Sequence, residues 1–145
     1  MKKTFAQNEL PEIAALLLGK LKPANNATVV ALAGDLGAGK TTLTQAIARA
    51  LGIKETVISP TFVIMKSYKL SDSVFSTLVH IDAYRLNSAK ELLRLGWDEL
   101  ISNPKNLILI EWPERVSEII PKDATKIYLA HVDEKTRNIS ISKML

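Results

Sequence analysis

An α/β fold with a mixed, mostly parallel sheet and helices on both faces is predicted by three features of the chain. A β-rich apolar run, Thr28 to Ala33, leads through a glycine-rich octet, residues 34 to 41, into a stretch of helical periodicity. A second apolar run, Leu107-Ile108-Leu109-Ile110, has the unbroken character of a strand buried on both faces of a parallel sheet. Two β-prone segments, Phe62 to Leu70 and Phe75 to Ile81, flank the polar turn Ser71-Asp72-Ser73 and read as an antiparallel hairpin. The first two favour parallel neighbours and the third an antiparallel pair, which together give a mixed sheet.

Taken in order, Asn8 is the expected cap of a first helix running to about Leu21, with Pro11 tolerated in its opening turn. Pro23-Ala24-Asn25-Asn26 breaks the chain before the first strand, Thr28 to Ala33. Beyond the octet, Leu43, Ile47, Ala50 and Leu51 recur at helical spacing, and Gly52 ends that helix. The hairpin follows. Ser88 then caps a helix over Ala89 to Leu95, closed by Gly96. After the apolar strand at 107 to 110, Pro113 can open a short helix. Residues 125 to 132 and 138 to 142 alternate as two closing strands.

The octet itself reads Gly34-Asp35-Leu36-Gly37-Ala38-Gly39-Lys40-Thr41, a complete GxxxxGK[ST] phosphate-binding loop, and its setting is that of a P-loop NTPase fold. Glycines let the backbone turn its N–H groups inward to form a nest that side chains would otherwise fill. Lys40 adds a flexible positive charge that can reach the β- and γ-phosphates, and the Thr41 hydroxyl can ligate Mg2+. The helix beginning near Lys40 aims its positive dipole end at the same point.

Magnesium needs a second anchor, usually an acidic residue at the end of a buried strand beside the loop. Glu111, directly after Leu107 to Ile110, is the favoured anchor, because open α/β sheets gather ligands at the C-terminal ends of their strands. Asp82 ends Leu78-Val79-His80-Ile81 in a similar way and is assigned to a metal-bound or attacking water. Ser59-Pro60-Thr61 falls about where small phosphate-loop switches sense the γ-phosphate. His80 reads as a satisfied strand-end histidine rather than a base, and Trp97 and Trp112 as core or interface aromatics. Arg85 can either stabilise phosphate oxygens or pair with Glu91.

The chain has 145 residues, 47% of them apolar, which is enough for one core; a single nucleotide-binding domain over residues 1–145 is expected. There is no cysteine, so disulfides and thiolate metal sites are excluded and a reducing cytoplasm is compatible. Lys2 and Lys3 resemble the start of a signal peptide, yet Gln7, Asn8, Glu9 and Glu12 follow where its apolar stretch would have to be. The longest apolar run, Ile13 to Leu18, is too short for a bilayer of about 30 Å, so a cytoplasmic location with no membrane partner is expected. The net charge of +4 falls within residues 1 to 80 and reads as a solvated lysine-bearing face, without the arginine runs or interleaved aromatics of a DNA or RNA groove.

Together, Gly34 to Leu43, Ser59-Pro60-Thr61-Phe62, His80-Ile81-Asp82-Ala83-Tyr84-Arg85-Leu86 and Glu111-Trp112-Pro113 resemble the bacterial TsaE (YjeE) family in order and spacing over nearly the whole chain. The resemblance implies a magnesium-dependent ATPase required for N6-threonylcarbamoyladenosine (t6A) modification of tRNA, acting with TsaD and TsaB and meeting tRNA indirectly through that complex. It implies slow intrinsic turnover that partners stimulate, with the carbamoyl transfer left to TsaD. Carried over by position, Asp35, Leu36, Gly37, Ala38, Gly39, Lys40, Thr41, Thr42 and Trp112 would bind ATP. Thr41, Glu111 and Asp82 would serve Mg2+, and Lys40, Asp82 and Thr61 would be catalytic. Beyond Pro113 the resemblance gives no guide to the adenine contacts.

A small-molecule kinase is the alternative. It would share the loop but need an Arg-bearing lid, for which Arg94 and Arg115 are the only candidates. No Asn-Lys-x-Asp segment supports a GTP switch, and a non-enzymatic RNA-binding module leaves residues 34 to 41 unexplained.

Overall fold

A computed structural model describes residues 2–35, 38–55, 57 and 64–143. Its seven strands are β1 (Lys2–Ala6), β2 (Thr28–Gly34), β3 (Met65–Lys69), β4 (Thr77–Asp82), β5 (Asn106–Glu111), β6 (Thr125–His131) and β7 (Thr136–Lys143). They form one sheet in the order β1-β7-β6-β2-β5-β4-β3. The inner strands β6, β2, β5 and β4 are mutually parallel, whereas β3, β7 and β1 join antiparallel at the two sides. The expected mixed, mostly parallel sheet and the β3–β4 hairpin are therefore present.

Alternation along the inner strands sorts side chains to two cores. Val30, Leu32, Leu78, Leu107 and Leu109 face helices α1 (Leu10–Lys20) and α2 (Lys40–Ala50), which contribute Ile13, Leu17, Leu43 and Ile47 at helical spacing. Val29, Ala31, Val79, Ile81, Ile108 and Ile110 face the other way. They pack with α3 (Ala89–Arg94), α4 (Trp97–Ile101) and the 3-10 segment Pro113–Ile119 through Leu92, Trp97 and Val116. Helices thus cover both faces, and no helix among the described residues is long and apolar enough to cross a membrane.

Several details differ from the sequence expectations. Lys2–Ala6 is a strand, paired with β7 from Lys2↔Ser140 to Ala6↔Thr136, where no element was expected. The first helix begins at Leu10 rather than after Asn8; residues Gln7–Glu9 form a 3-10 turn, and the Glu9 carboxylate accepts the Ala6 N–H at 2.9 Å. Gly96, with φ 95°, follows the end of α3 as expected, but α4 starts immediately after it, where no helix was expected. β3 starts at Met65; Phe62 and Val63 lie outside the described residues.

Candidate functional site

Because β2, β4 and β5 run the same way, their last residues, Gly34, Asp82 and Glu111, meet on one rim of the sheet, with Asp82 opposite Glu111 in register. Period-two alternation turns His80, Asp82 and Glu111 toward the face that carries Leu78 and Leu109, which is the face α2 covers. The loop between β2 and α2 therefore arrives directly above the acidic pair. All three side chains are buried, with relative exposures of 0% for His80, 5% for Asp82 and 3% for Glu111. Backbone bonds pin the strand ends, since Ala83 N–H donates to Glu111 O at 3.0 Å and Trp112 N–H to Leu32 O at 3.3 Å.

Two glycines shape the loop. Gly39 takes φ +100° as the residue preceding α2, and the Ala38 N–H closes a turn onto Asp35 O at 3.0 Å. Gly34 has φ +145°, and a Cβ there would lie 2.4 Å from the Leu129 carbonyl oxygen of β6, a backbone atom that cannot step aside. Gly34→Ala is accordingly expected to destabilise the fold by at least about 1–2 kcal/mol, counting the backbone conformation alone. The urea midpoint should fall with an unchanged m-value; an unaltered midpoint would mean that β2 and β6 can part at this point without cost.

Lys40 opens α2 and is buried. Its ammonium donates to Gly34 O and to Asp35 O, the latter at 3.0 Å, and stands 4.1 Å from the Trp112 ring centroid. Burial pushes the amine below the usual lysine range, while the carboxylates of Glu111, Glu114, Asp35 and Asp82 act in the opposite direction. Trp112 adopts a left-handed backbone, φ 60° and ψ 50°, unusual for a bulky residue. That turn aims its indole back over the loop. Tyr84 packs against it, ring centroids 4.9 Å apart and planes tilted by 51°, and Arg115 lies 5.6 Å from the Tyr84 ring, which completes a column from the surface to the buried ammonium.

The Thr41 hydroxyl faces Glu111 Oε1 at 3.4 Å, while Glu111 Oε2 meets His80 Nε2 at 2.6 Å. Asp82 Oδ1 accepts the Tyr84 N–H at 3.0 Å. Two hard oxygens 3.4 Å apart are close to the separation of about 3 Å that neighbouring ligands of an octahedral ion with 2.0–2.1 Å bonds require. Among the described residues no group of three or more His, Cys, Asp or Glu could hold a metal. The Thr41 hydroxyl and Glu111 carboxylate fit magnesium, which takes one or two protein oxygens and completes its shell with phosphate and water.

Of the site residues expected from sequence, Lys40, Thr41, Asp82, Glu111 and Trp112 converge on this rim. Asp35, Ala38, Gly39 and Thr42 belong to the same loop and first turn. Leu36, Gly37 and the whole Ser59-Pro60-Thr61 segment, including the catalytic assignment of Thr61, lie outside the described residues. A cleft beside the loop, between Thr42 and the β6–β7 turn, is bordered by Phe5, Gln7, Lys135 and Arg137. Sequence reasoning had no signal for it, since it depends on β1 lying next to β7.

The family profile described as "Threonylcarbamoyl adenosine biosynthesis protein TsaE" matches residues 5–139. The tRNA threonylcarbamoyladenosine biosynthesis protein TsaE of Rickettsia felis is 38% identical, over 93% of this chain and 75% of its own length. The protein of the same name from Bacillus subtilis is 36% identical, over 97% of this chain and 83% of its own. The crystal structure of Bacillus subtilis YdiB superposes with a TM-score of 0.79 at 32% identity, covering 100% of this chain and 86% of that one.

Proposed function

Since this chain belongs to the TsaE family, matched from residue 5 to residue 139, we propose that it is the ATP-hydrolysing, magnesium-dependent subunit of tRNA threonylcarbamoyladenosine biosynthesis. Its role in that pathway follows from the relatives named for it, which match it over nearly its full length. In this reading residues 1–145 form one nucleotide-binding domain that works in the cytoplasm with TsaD and TsaB and meets tRNA through them. The observation that carries the ATPase reading is the approach of Glu111 Oε1 to the Thr41 hydroxyl, on the side of the loop where Lys40 emerges.

The roles follow from position. The amides of the loop and the N-terminus of α2 cradle the phosphates, and Lys40 leaves its carbonyl partners to neutralise the β- and γ-oxygens. Thr41 and Glu111 would hold Mg2+, which supplies charge neutralisation at the transferring phosphoryl group. Asp82, held by the Tyr84 N–H, orients the attacking water, and Trp112 walls the site against solvent. Thr61 is assigned to γ-phosphate sensing on its sequence spacing alone.

Incubation with γ-labelled ATP, with and without TsaB and TsaD, tests this reading. Free phosphate that forms slowly alone and faster with the partners is the expected result. Label transferred to a small acceptor would replace the ATPase by a kinase, and absence of any turnover under both conditions would end the enzymatic reading.

A further inference from the structure

We propose that His80 is a positioning residue for Glu111, holding one carboxylate oxygen so that the other stays aimed at Thr41 and the metal the two would share. The inference rests on the reading of Glu111 as the magnesium anchor.

His80 sits mid-strand in β4, fully buried, on the face where Leu78 precedes it and Asp82 follows. A histidine kept there only for packing would be expected to have both ring nitrogens bonded or to have an apolar substitute. Instead, Nε2 lies 2.6 Å from Glu111 Oε2 and Nδ1 has no hydrogen-bond partner. With Glu111 present as a carboxylate, an acceptor only, Nε2 must carry a proton, and Nδ1 is left without a partner. The fold therefore tolerates one unpaired buried ring nitrogen in order to keep one short bond to the carboxylate.

That bond divides the labour of the two oxygens. Oε2 is saturated by the imidazole, whereas Oε1, 3.4 Å from the Thr41 hydroxyl, is too far for a tight hydrogen bond and near enough to share an ion. Glutamate is free to rotate about its terminal torsion, and a donor at Oε2 removes that freedom. His80 would touch neither nucleotide nor metal; it acts through Glu111.

The test compares His80→Gln with His80→Asn. The glutamine amide lies as many bonds from the backbone as Nε2 and can still donate to Oε2, while the asparagine amide reaches only the Nδ1 position. Both leave a polar acceptor buried, so a general packing cost is common to the two. The readouts are Mn2+ affinity of the ADP-loaded protein by electron paramagnetic resonance, and ADP affinity in EDTA. Asparagine is expected to weaken Mn2+ by about 10–100-fold with ADP affinity in EDTA unchanged, and glutamine to recover most of the loss. Equal effects of the two substitutions, whether large or absent, would overturn the proposal.

Nitrogen-15 spectra of the unsubstituted protein supply a check that needs no variant. Of its two histidines, His131 is exposed and serves as the reference. The His80 ring should carry a proton on Nε2, and that resonance should move when Mg2+ joins bound ADP; a ring with no proton on Nε2 would refute the assignment. If the unsubstituted protein with ADP binds no Mn2+ at all, the metal reading of Glu111 fails and His80 falls with it. If it binds Mn2+ and the asparagine variant binds it equally well, only the role of His80 is lost.

Discussion

Lys40→Ala is expected to weaken ATP by at least about 100-fold and to abolish turnover. Charge-assisted hydrogen bonds contribute about 1.5–3 kcal/mol each, and one ammonium serving two phosphates therefore accounts for two or more decades of affinity. Equilibrium binding of a fluorescent ATP analogue measures this, and binding within a few-fold of the unsubstituted protein would exclude the loop as the site. The variant should still fold, at some cost, since Asp35, whose carbonyl is one of the ammonium's two partners, is exposed to water, while Gly34 O at the end of β2 loses a buried partner. Its stability should also report how the lysine is buried. The native amine titrates below the 10.5 of a free lysine, so between those two values the unfolded chain binds the extra proton. Stability therefore rises as pH climbs through the native pKa toward 10.5, after being reduced at all lower pH. The alanine variant should lack that alkaline rise, which unfolding at graded pH would detect.

Glu111→Gln carries the second largest effect, and of a different kind. The amide is nearly isosteric and the phosphate cradle is untouched, so nucleotide should remain bound. The negative charge that completes the magnesium site is lost. Outer-shell partners of metals are worth about 10–100-fold, and loss of the ligand charge itself should cost at least about 100-fold in magnesium-dependent turnover. Raising Mg2+ should restore part of the rate. If turnover and its magnesium dependence are both unchanged, the metal duty passes to Asp82, the register neighbour of Glu111 on β4.

Much of this architecture was legible because the informative segments are locally self-sufficient. Thr28 to Ala33 and Leu107 to Ile110 are apolar enough to demand burial on both faces, and the spacing of Leu43 and Ile47 demands a helix whatever lies around them. β1 was not legible. In Lys2-Lys3-Thr4-Phe5-Ala6 only Phe5 is buried, and the segment is a strand because β7, from the far end of the chain, supplies its hydrogen-bond partners. α4 is one turn long, too short for periodicity to register, and the glycine before it looks like a stop.

The site divides along the same line. Acidic residues ending apolar strands could be read as anchors, and a lysine after a glycine as a phosphate ligand. That His80 and Glu111 would share one face and meet at 2.6 Å depends on the parallel register of β4 with β5, a relation between segments some 30 residues apart. The left-handed turn at Trp112 and the cleft beside Thr42 likewise arise only once distant strands are paired.

The backward turn at Trp112 costs about 1–2 kcal/mol for an L-residue, and the indole's contact with the Lys40 ammonium offsets it. A triphosphate that draws the ammonium away removes that compensation. Occupation of the loop is therefore expected to loosen the 111–113 corner. The Tyr84–Arg115 column extends from that corner to the surface.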